Sequence, residues 1–350
     1  MRGRFLPPPL AFSPQIWYNK EEKQTRSRKE MPMTTIQDLA LACGVSIATV
    51  SRAFAKDGKI KPSTREAILK RAEEMHYVPN SIAKSLQQKQ TNTVGLIIPE
   101  ITNSFYSSVI QRLEWKYREN GYRFIIGFYQ PGISTEADII SDMHSYRVDA
   151  LIFSPSDRTS ETVLKNCFSP QNILQLFNAP YSEYDSLTID DVRGIEMATE
   201  YLISKGHRKI LYFGHPERVE GYVRTMAAHG LSPLTDRMTD IDLTTDTLQA
   251  HIRTAKPTAI LTVAKYSEKM VSLLNRMGIR FPEDISLIVY DDVDWTKMLD
   301  ITTVAHPLDE LAEISLQMLL PRLRGEDSTP PHHRSLLPHL KYRGSVTSPN

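Results

Sequence analysis

Cysteine is nearly absent from this 350-residue chain: Cys43 and Cys167 are its only two, too few and too far apart for a disulfide framework or a metal cluster. No stretch approaches the roughly 18 unbroken apolar residues that a membrane-spanning helix needs. A membrane protein, a secreted disulfide scaffold and a zinc finger are therefore excluded. The usual enzyme signatures are missing as well, with no GxxxxGK[ST] segment, no GxGxxG after a strand and no HExxH helix. His332 and His333 stand beside two prolines and are expected on the solvent side, and no nucleophile, base and orienter can be assembled from spacing. No enzymatic activity, cofactor or metal is expected. The opening MRGRFLPPPLAFSPQ carries early arginines, but three consecutive prolines break its apolar stretch, so it does not read as a secretory signal and a cytoplasmic protein is expected.

What is present is an uneven distribution of charge. The chain holds 42 Lys+Arg and 41 Asp+Glu, yet 16 basic and 8 acidic residues fall in 1–92 while 26 and 33 fall in 93–350. A small basic segment joined to a larger acidic body suits a polyanion-binding head, because phosphate contacts supply sequence-independent affinity through counterion release. A solvated basic tail would give the same count. At this length two or more domains are expected. Residues 1–32 mix prolines, isolated aromatics and the run KEEKQTRSRKE without sustained periodicity, and read as a flexible extension.

The pattern changes within 33–79, where three short helices are expected. Thr34 or Thr35 caps the first, which carries Ile36, Leu39, Ala40 and Cys43 on one face and stops at Gly44. Ser46 caps the second after only two residues, and the third runs from about Pro62 to His76 with Ile68, Ala72 and Met75 inward. A helix, a Gly-containing turn and a second capped helix make a helix-turn-helix, although the same arrangement also occurs inside ordinary bundles. The outward face of the second helix favours DNA. Val45, Val50 and Ala53 point to the core, leaving Ile47, Ala48, Ser51 and Arg52 outside. Arginine can bond a guanine edge with two parallel donors, and Ile and Ala can meet a thymine methyl. Thr35, Ser46, Thr49 and Thr64 are small hydroxyl residues near helix N-termini, suited to phosphate oxygens.

GVSIATVSRAF, followed by TREAILKRAEEMHYVPNSIAKSLQQKQTNTVGLIIPEITNSFY, resembles the DNA-binding head, hinge and start of the core of the LacI/GalR family of bacterial transcription regulators, and the likeness continues with gaps to about Gly344. The resemblance implies a small all-α helix-turn-helix head on an α/β bilobed, periplasmic-binding-protein-like core of two parallel-sheet subdomains. It makes 80–92 a hinge. There Asn80, Ala83 and Lys84 match family positions, and Leu86 matches the leucine that wedges into the minor groove and kinks the duplex. Taken alone, Leu86 could equally be a linker residue packed on its own domain.

From 93 to 344 short β-branched runs alternate with amphipathic segments: TVGLIIPE, RFIIGFY, DALIFSP, KILYFG, AILTVA and ISLIVYDD serve as strands. Alternation of this kind implies a parallel sheet covered on both faces. The expected organisation is an N-lobe at about 93–190, a C-lobe at about 191–297, crossing segments after 297 and a tail at 345–350. Ligands of open α/β sheets sit beyond the carboxyl ends of the strands. The resemblance places Asn103, Phe105, Asn178, Arg218, Lys265 and Asp291 at family cleft positions, and Trp295 adds an aromatic beside the acid. Phe105 could instead be a packed aromatic, and the Asp291–Asp292 pair a helix cap.

The chain also departs from the family. Ala264 and Lys265 replace the usual Asn-Asp pair, and the loop before Arg218 is short. A lost carboxylate and a gained lysine point to an anionic effector, such as a sugar phosphate or sugar acid; the alternative is a cleft that senses no small molecule. The expected function is a sequence-specific DNA-binding repressor, homodimeric on a pseudo-palindromic operator and modulated by a small sugar-like effector. A solute-binding protein and an architectural DNA binder are the rival readings. No leucine heptad follows HLKYRGSVTSPN, which favours a dimer over a tetramer.

Overall fold

The structure is a computed structural model that describes residues 34–55, 58–79, 90–129, 133–214, 218–234 and 245–349, without the side chains of 245–247, 264 and 265. Asn80, Ala83, Lys84 and Leu86 lie outside the described residues. The chain divides into two compact units, Met1–Ser81 and Ile82–Asn350.

The first unit holds α1 (Ile36–Cys43), α2 (Ile47–Phe54) and α3 (Pro62–Glu74). Gly44 takes a left-handed φ of 64° and stops α1, and its N–H returns to the last turn, which lets α2 begin after a two-residue turn. Leu39, Val50 and Ile68 are almost fully buried at the centre, with Ala40, Ala53 and Ala72 around them. The alanines allow close helix approach. Thr34 Oγ1 donates to the Met75 carbonyl at 2.9 Å and closes the unit, while the Arg65 guanidinium donates to the Ala55 carbonyl at the end of α2.

The second unit contains two sheets. The first joins β1 (Thr93–Ile98), β2 (Arg123–Phe128), β3 (Ala150–Phe153), β4 (Ile173–Phe177), β5 (Asp185–Ile189) and β10 (His333–Leu336) in the order β10-β5-β4-β3-β1-β2, with every pairing parallel. The second joins β6 (Ile210–Phe213), β7 (Ala259–Val263), β8 (Ser286–Tyr290), β9 (Thr302–Ala305) and β11 (His339–Lys341) in the order β11-β9-β8-β7-β6, with only β11 antiparallel. Helices α4 (Ser104–Glu119), α5 (Glu136–Ser145), α6 (Glu161–Cys167) and α12 (Leu308–Leu323) belong to the first lobe. The second carries α7 (Asp191–Ser204), α8 (Val219–Ala228), α9 (Thr245–Ala255), α10 (Ala264–Arg276) and α11 (Asp294–Met298). Each sheet has an apolar cluster on both faces, as a parallel sheet requires.

Five strands were not anticipated: β4, β5, β9, β10 and β11. Their polar residues hide the hydrophobic pattern because the fold satisfies them internally. Gln175 in β4 is fully buried, and its amide donates to the Tyr181 carbonyl at 2.7 Å and accepts from the Tyr181 N–H at 3.0 Å. Asp185, which opens β5, accepts Arg322 Nε at 2.7 Å and Nη2 at 2.9 Å, with both side chains 2% exposed. The pair fixes the end of α12 against the first sheet.

Because β10 completes the first sheet and β11 the second, the chain passes between lobes three times: after β5, after β9 and after β10. These passages are closely packed. A Cβ on Gly194 would stand 2.6 Å from Tyr290 Oη and 2.8 Å from Pro338 Cγ, so glycine is required where the first and third passages meet β8.

Residues from 345 onward, expected as a tail, instead dock on the second lobe. Ser345 is 1% exposed; its Oγ accepts the Thr302 N–H at 2.8 Å and donates to the Leu287 carbonyl at 2.6 Å. His207 is fully buried beneath the same segment, with Nε2 donating to the Thr347 carbonyl at 2.8 Å and Nδ1 lying 2.9 Å from the Thr258 hydroxyl. Burial pulls the imidazole below its ordinary value of 6.5 despite the Thr347 bond.

Two outcomes are expected. Folded His207 holds its proton less tightly than the unfolded chain, so its contribution to stability is complete above about pH 6.5 and is lost as pH falls through the lowered value. Thermal unfolding between pH 7.5 and 5 should accordingly show a steeper loss for the wild type than for His207→Gln, and parallel curves would refute the linkage. Gly194→Ala should destabilise by about 1–3 kcal/mol in chemical denaturation, because overpacking against Tyr290 and Pro338 outweighs the gain in helix propensity.

Candidate nucleic-acid interface and effector cleft

On α2 the buried and exposed residues separate cleanly. Val50 and Ala53 face the core, whereas Ile47, Ala48, Ser51 and Arg52 are exposed and span one side at 100° per residue. Ile47 remains 45% exposed although it is a large aliphatic. Ser46 is the N-cap, its Oγ accepting the Thr49 N–H at 3.2 Å and lying 2.9 Å from Thr49 Oγ1. Whichever hydroxyl donates within that pair, the other keeps a hydrogen for an external acceptor. Thr35 is more fully occupied: its Oγ1 donates to Asp38 Oδ2 at 2.7 Å and accepts the Asp38 N–H at 3.2 Å in a capping box. Those bonds hold the Asp38 carboxyl below its usual value. Thr64 sits partly buried in the first turn of α3.

In the second unit, several of the expected cleft residues meet through a chain of contacts. The Phe105 ring, in the first turn of α4, lies 5.1 Å from Phe177 and 4.6 Å from the His306 imidazole in the second passage. His306 Nε2 donates to Asp291 Oδ1 at 2.7 Å, and its ring meets Tyr290 edge-on at 5.3 Å. Over the same Tyr290 ring, at 4.4 Å, lies the Arg218 guanidinium. Asp291 has a left-handed φ of 95° and is 7% exposed, a strained backbone of the kind held at ligand sites. His306 is nearly as enclosed, and its Nδ1 has no hydrogen-bond partner among the described residues.

Arg218 is itself anchored. Its Nε and Nη2 both reach Asp191 Oδ2 at 2.8 Å, while Asp191 Oδ1 accepts the Tyr290 hydroxyl at 2.7 Å. Burial opposes the guanidinium charge, but Asp191 and Asp291 more than offset it and the pKa is raised. Tyr290 is pushed up by burial and then by Asp191, so its phenol remains a donor. Tyr106, beside Phe105 and Phe177, is raised chiefly by burial.

The remaining expected residues stand apart from this group. Asn103 is the N-cap of α4, its Oδ1 accepting the Phe105 N–H at 3.0 Å. Asn178 follows β4 and its amide donates to the Pro155 carbonyl at 3.2 Å. Trp295, expected as an aromatic cover beside Asp291, packs partly buried against the second lobe's core, whose members include Leu211 and Phe213. Lys265 lies in the first turn of α10, with its side chain outside the described set. The helix-cap reading of the Asp pair is also corrected. Asp292 accepts Arg343 at 2.6 Å, Lys341 at 2.9 Å and the Thr303 hydroxyl at 3.0 Å, and α11 begins at Asp294 without a side-chain cap. Burial raises its pKa, but those three partners hold the carboxyl below its usual value and thereby fasten β11 to β9.

Sequence reasoning missed Tyr106, Phe177, Asp191, Tyr290 and His306. The signals were present: Asp191 is the second acid after a strand, and His306 precedes Pro307 after the unread strand TTVA.

Comparison with known proteins identifies the family and the fold. Residues 35–80 match the model of bacterial regulatory proteins of the lacI family, and residues 199–346 match the periplasmic binding protein-like domain. The HTH-type transcriptional repressor PurR of Vibrio campbellii is 30% identical over 319 residues, covering 84% of this chain and 93% of the relative. The repressor CytR of Escherichia coli K12 is 26% identical over 320 residues, covering 86% and 93%. In fold, the chain is similar to the Lac repressor dimer bound to operator and the anti-inducer ONPF, with a TM-score of 0.75 at 21% identity over 90% of this chain and 99% of that one. A head matched to the regulatory family and a relative aligned across both lobes lead to one assignment: this chain belongs to the lacI family of bacterial regulatory proteins.

Proposed function

We propose that this protein is a transcription repressor that reads a pseudo-palindromic operator as a homodimer and is modulated by a small sugar-like effector held between its lobes. The observation that carries this is the exposed side of α2, where Arg52 and the apolar Ile47 and Ala48 stand free while the opposite side builds the core. Ser51 and the Ser46–Thr49 hydroxyl pair supply polar contacts to the DNA, with Thr64 near a helix N-terminus for a phosphate. Thr35 acts through the capping box that sets the start of α1. Asn80, Ala83, Lys84 and Leu86 form the hinge, with Leu86 as the minor-groove wedge. The head and hinge bounds of 33–79 and 80–92 carry over, and the core from 93 extends past 344 through the docked Ser345 and Thr347.

In the cleft, Phe105, Arg218 and Asp291 contact the effector, and Lys265 borders it. Asn103, Asn178 and Trp295 shape the surrounding loops. The protein works in the cytoplasm and acts by binding rather than catalysis: in the cleft Asp191 pairs with Arg218 and Asp291 with His306, and Asp292 pairs with Lys341 and Arg343. No helix among the described residues is long and apolar enough to cross a membrane. A second reading, a regulator whose cleft senses no metabolite, is favoured by the tilted Phe105–His306 ring contact and by the capping use of Asn103.

Selection of bound DNA from a random pool should recover a palindrome with an easily kinked centre, and a metabolite screen on that site should find a compound that shifts operator affinity. Recovery of no preferred sequence at physiological salt would refute the repressor reading, and an affinity indifferent to every metabolite would establish the second one. Arg52→Ala should weaken operator binding by about 1–3 kcal/mol and relax one base position. Leu86→Ala should reduce operator bending more than nonspecific binding; an unchanged bend angle would remove the wedge.

A further inference from the structure

The basic surplus of the first 92 residues does not sit mainly in the helices that read DNA. Residues 33–79 hold 7 basic and 5 acidic residues and the hinge at 80–92 holds 2 basic and no acidic ones, while residues 1–32 hold 7 and 3. Half of the net charge therefore precedes the head. On the exposed side of α2 the only cation is Arg52, whereas the run KEEKQTRSRKE places Arg26, Arg28 and Lys29 within four positions, interrupted by a serine alone.

The structure fixes where that stretch joins the head. Thr34 Oγ1 donates to the Met75 carbonyl at 2.9 Å, so the chain enters the head against the end of α3. The same end leads to the hinge. His76 turns the chain with a left-handed φ of 49°, the Tyr77 N–H returns to the Ala72 carbonyl at 2.8 Å, and the Tyr77 ring meets Phe54 edge-on at 5.6 Å. Val78 then stands 79% exposed, two residues before the hinge. The chain thus enters the head and leaves it for the hinge at one corner. Arg26, Arg28 and Lys29 precede Thr34 by 8, 6 and 5 positions, a span that reaches at most roughly 17–28 Å from that corner.

We propose that Arg26, Arg28 and Lys29 form a second DNA-contacting element, a basic arm that binds the backbone phosphates beside the hinge. This rests on the reading of the protein as a DNA-binding regulator whose hinge lies in the minor groove. Closely spaced cations without an intervening amide or aromatic suit phosphate oxygens, which carry no sequence information. The arm supplies affinity and the α2 face supplies base choice. The rival is a basic tail that stays solvated when DNA binds.

The test uses the full chain and a 40-base-pair duplex of random sequence, with affinity followed by fluorescence anisotropy between 50 and 200 mM KCl. Neutralising the arm with Arg26→Gln, Arg28→Gln and Lys29→Gln together should make the slope of log affinity against log salt shallower by about 2–3 per subunit and weaken binding at 50 mM by about tenfold or more. Removing the same charge from the exposed surface of the second lobe, with Lys205→Gln, Arg208→Gln and Lys209→Gln, should leave the slope unchanged. A wild-type slope in the arm variant would overturn the proposal, and so would an equal loss of slope in the second-lobe variant. In the wild type alone, the duplex should slow trypsin cleavage after Arg26, Arg28 and Lys29; undiminished cleavage on a saturating duplex would overturn it as well. A wild type that binds no duplex at all removes the DNA-binding reading, whereas one that binds with a slope shared by the arm variant removes the arm alone.

Discussion

The constraint on which the core depends is its interrupted connectivity. Neither sheet is completed by one continuous stretch of chain, since β10 returns to the first and β11 to the second. Three backbone passages must therefore run between the lobes, and each brings side chains to the same place. Asp191 follows the first passage, His306 lies in the second and Pro338 in the third, where Gly194 leaves space for Tyr290. The Arg218–Asp191–Tyr290 contacts and the passages between the lobes thus share residues. The buried Asp185–Arg322 pair serves this arrangement at a distance by holding the returning α12 and the approach to β10, since His332 N–H also donates to Asp185 Oδ1 at 2.7 Å. Loss of one partner of such a pair leaves an uncompensated buried charge, which makes the return path strongly specified even where the pair adds little net stability.

Much of this was legible in the sequence where local chemistry decides the outcome. In the head, a cap, a left-handed glycine and apolar spacing agree, and the helices begin and end close to where those residues place them. The strongest strands were legible for the same reason, as short β-branched runs. What escaped were strands whose polar groups are satisfied only by distant chain: Asp185 by Arg322, and Thr302 by Ser345. No window in the sequence contains both partners of such bonds. The tail from 345 escaped similarly, because its tie to Ser286, Leu287 and His207 spans 58 to 140 residues.

The cleft shows the same division. Phe105, Arg218 and Asp291 were recognisable from family-like positions, and the structure brings them into one set of contacts. The pairing that anchors Arg218 was not recognisable, because Asp191 precedes it by 27 positions on another helix of the second lobe. Residue identity alone suggested a surplus of cation. In the structure Arg218 is paired with Asp191.

The same geometry bounds how an effector acts on the lobes. Moving a two-state equilibrium from about 1:99 to 99:1 requires roughly 5.5 kcal/mol of differential binding. A small polyol making a few hydrogen bonds at about 0.5–1.5 kcal/mol each supplies less than that unless nearly all of them exist in one state only. The residues available here favour that condition. Phe105 belongs to the first lobe, His306 to a passage and Arg218 to the second lobe, so a ligand touching all three gains its full set of bonds at a single lobe angle. Regulation by such a ligand therefore requires resting states within a few kcal/mol of each other, and the direct Phe105–His306 contact is the part of the resting structure that a ligand must preserve or replace.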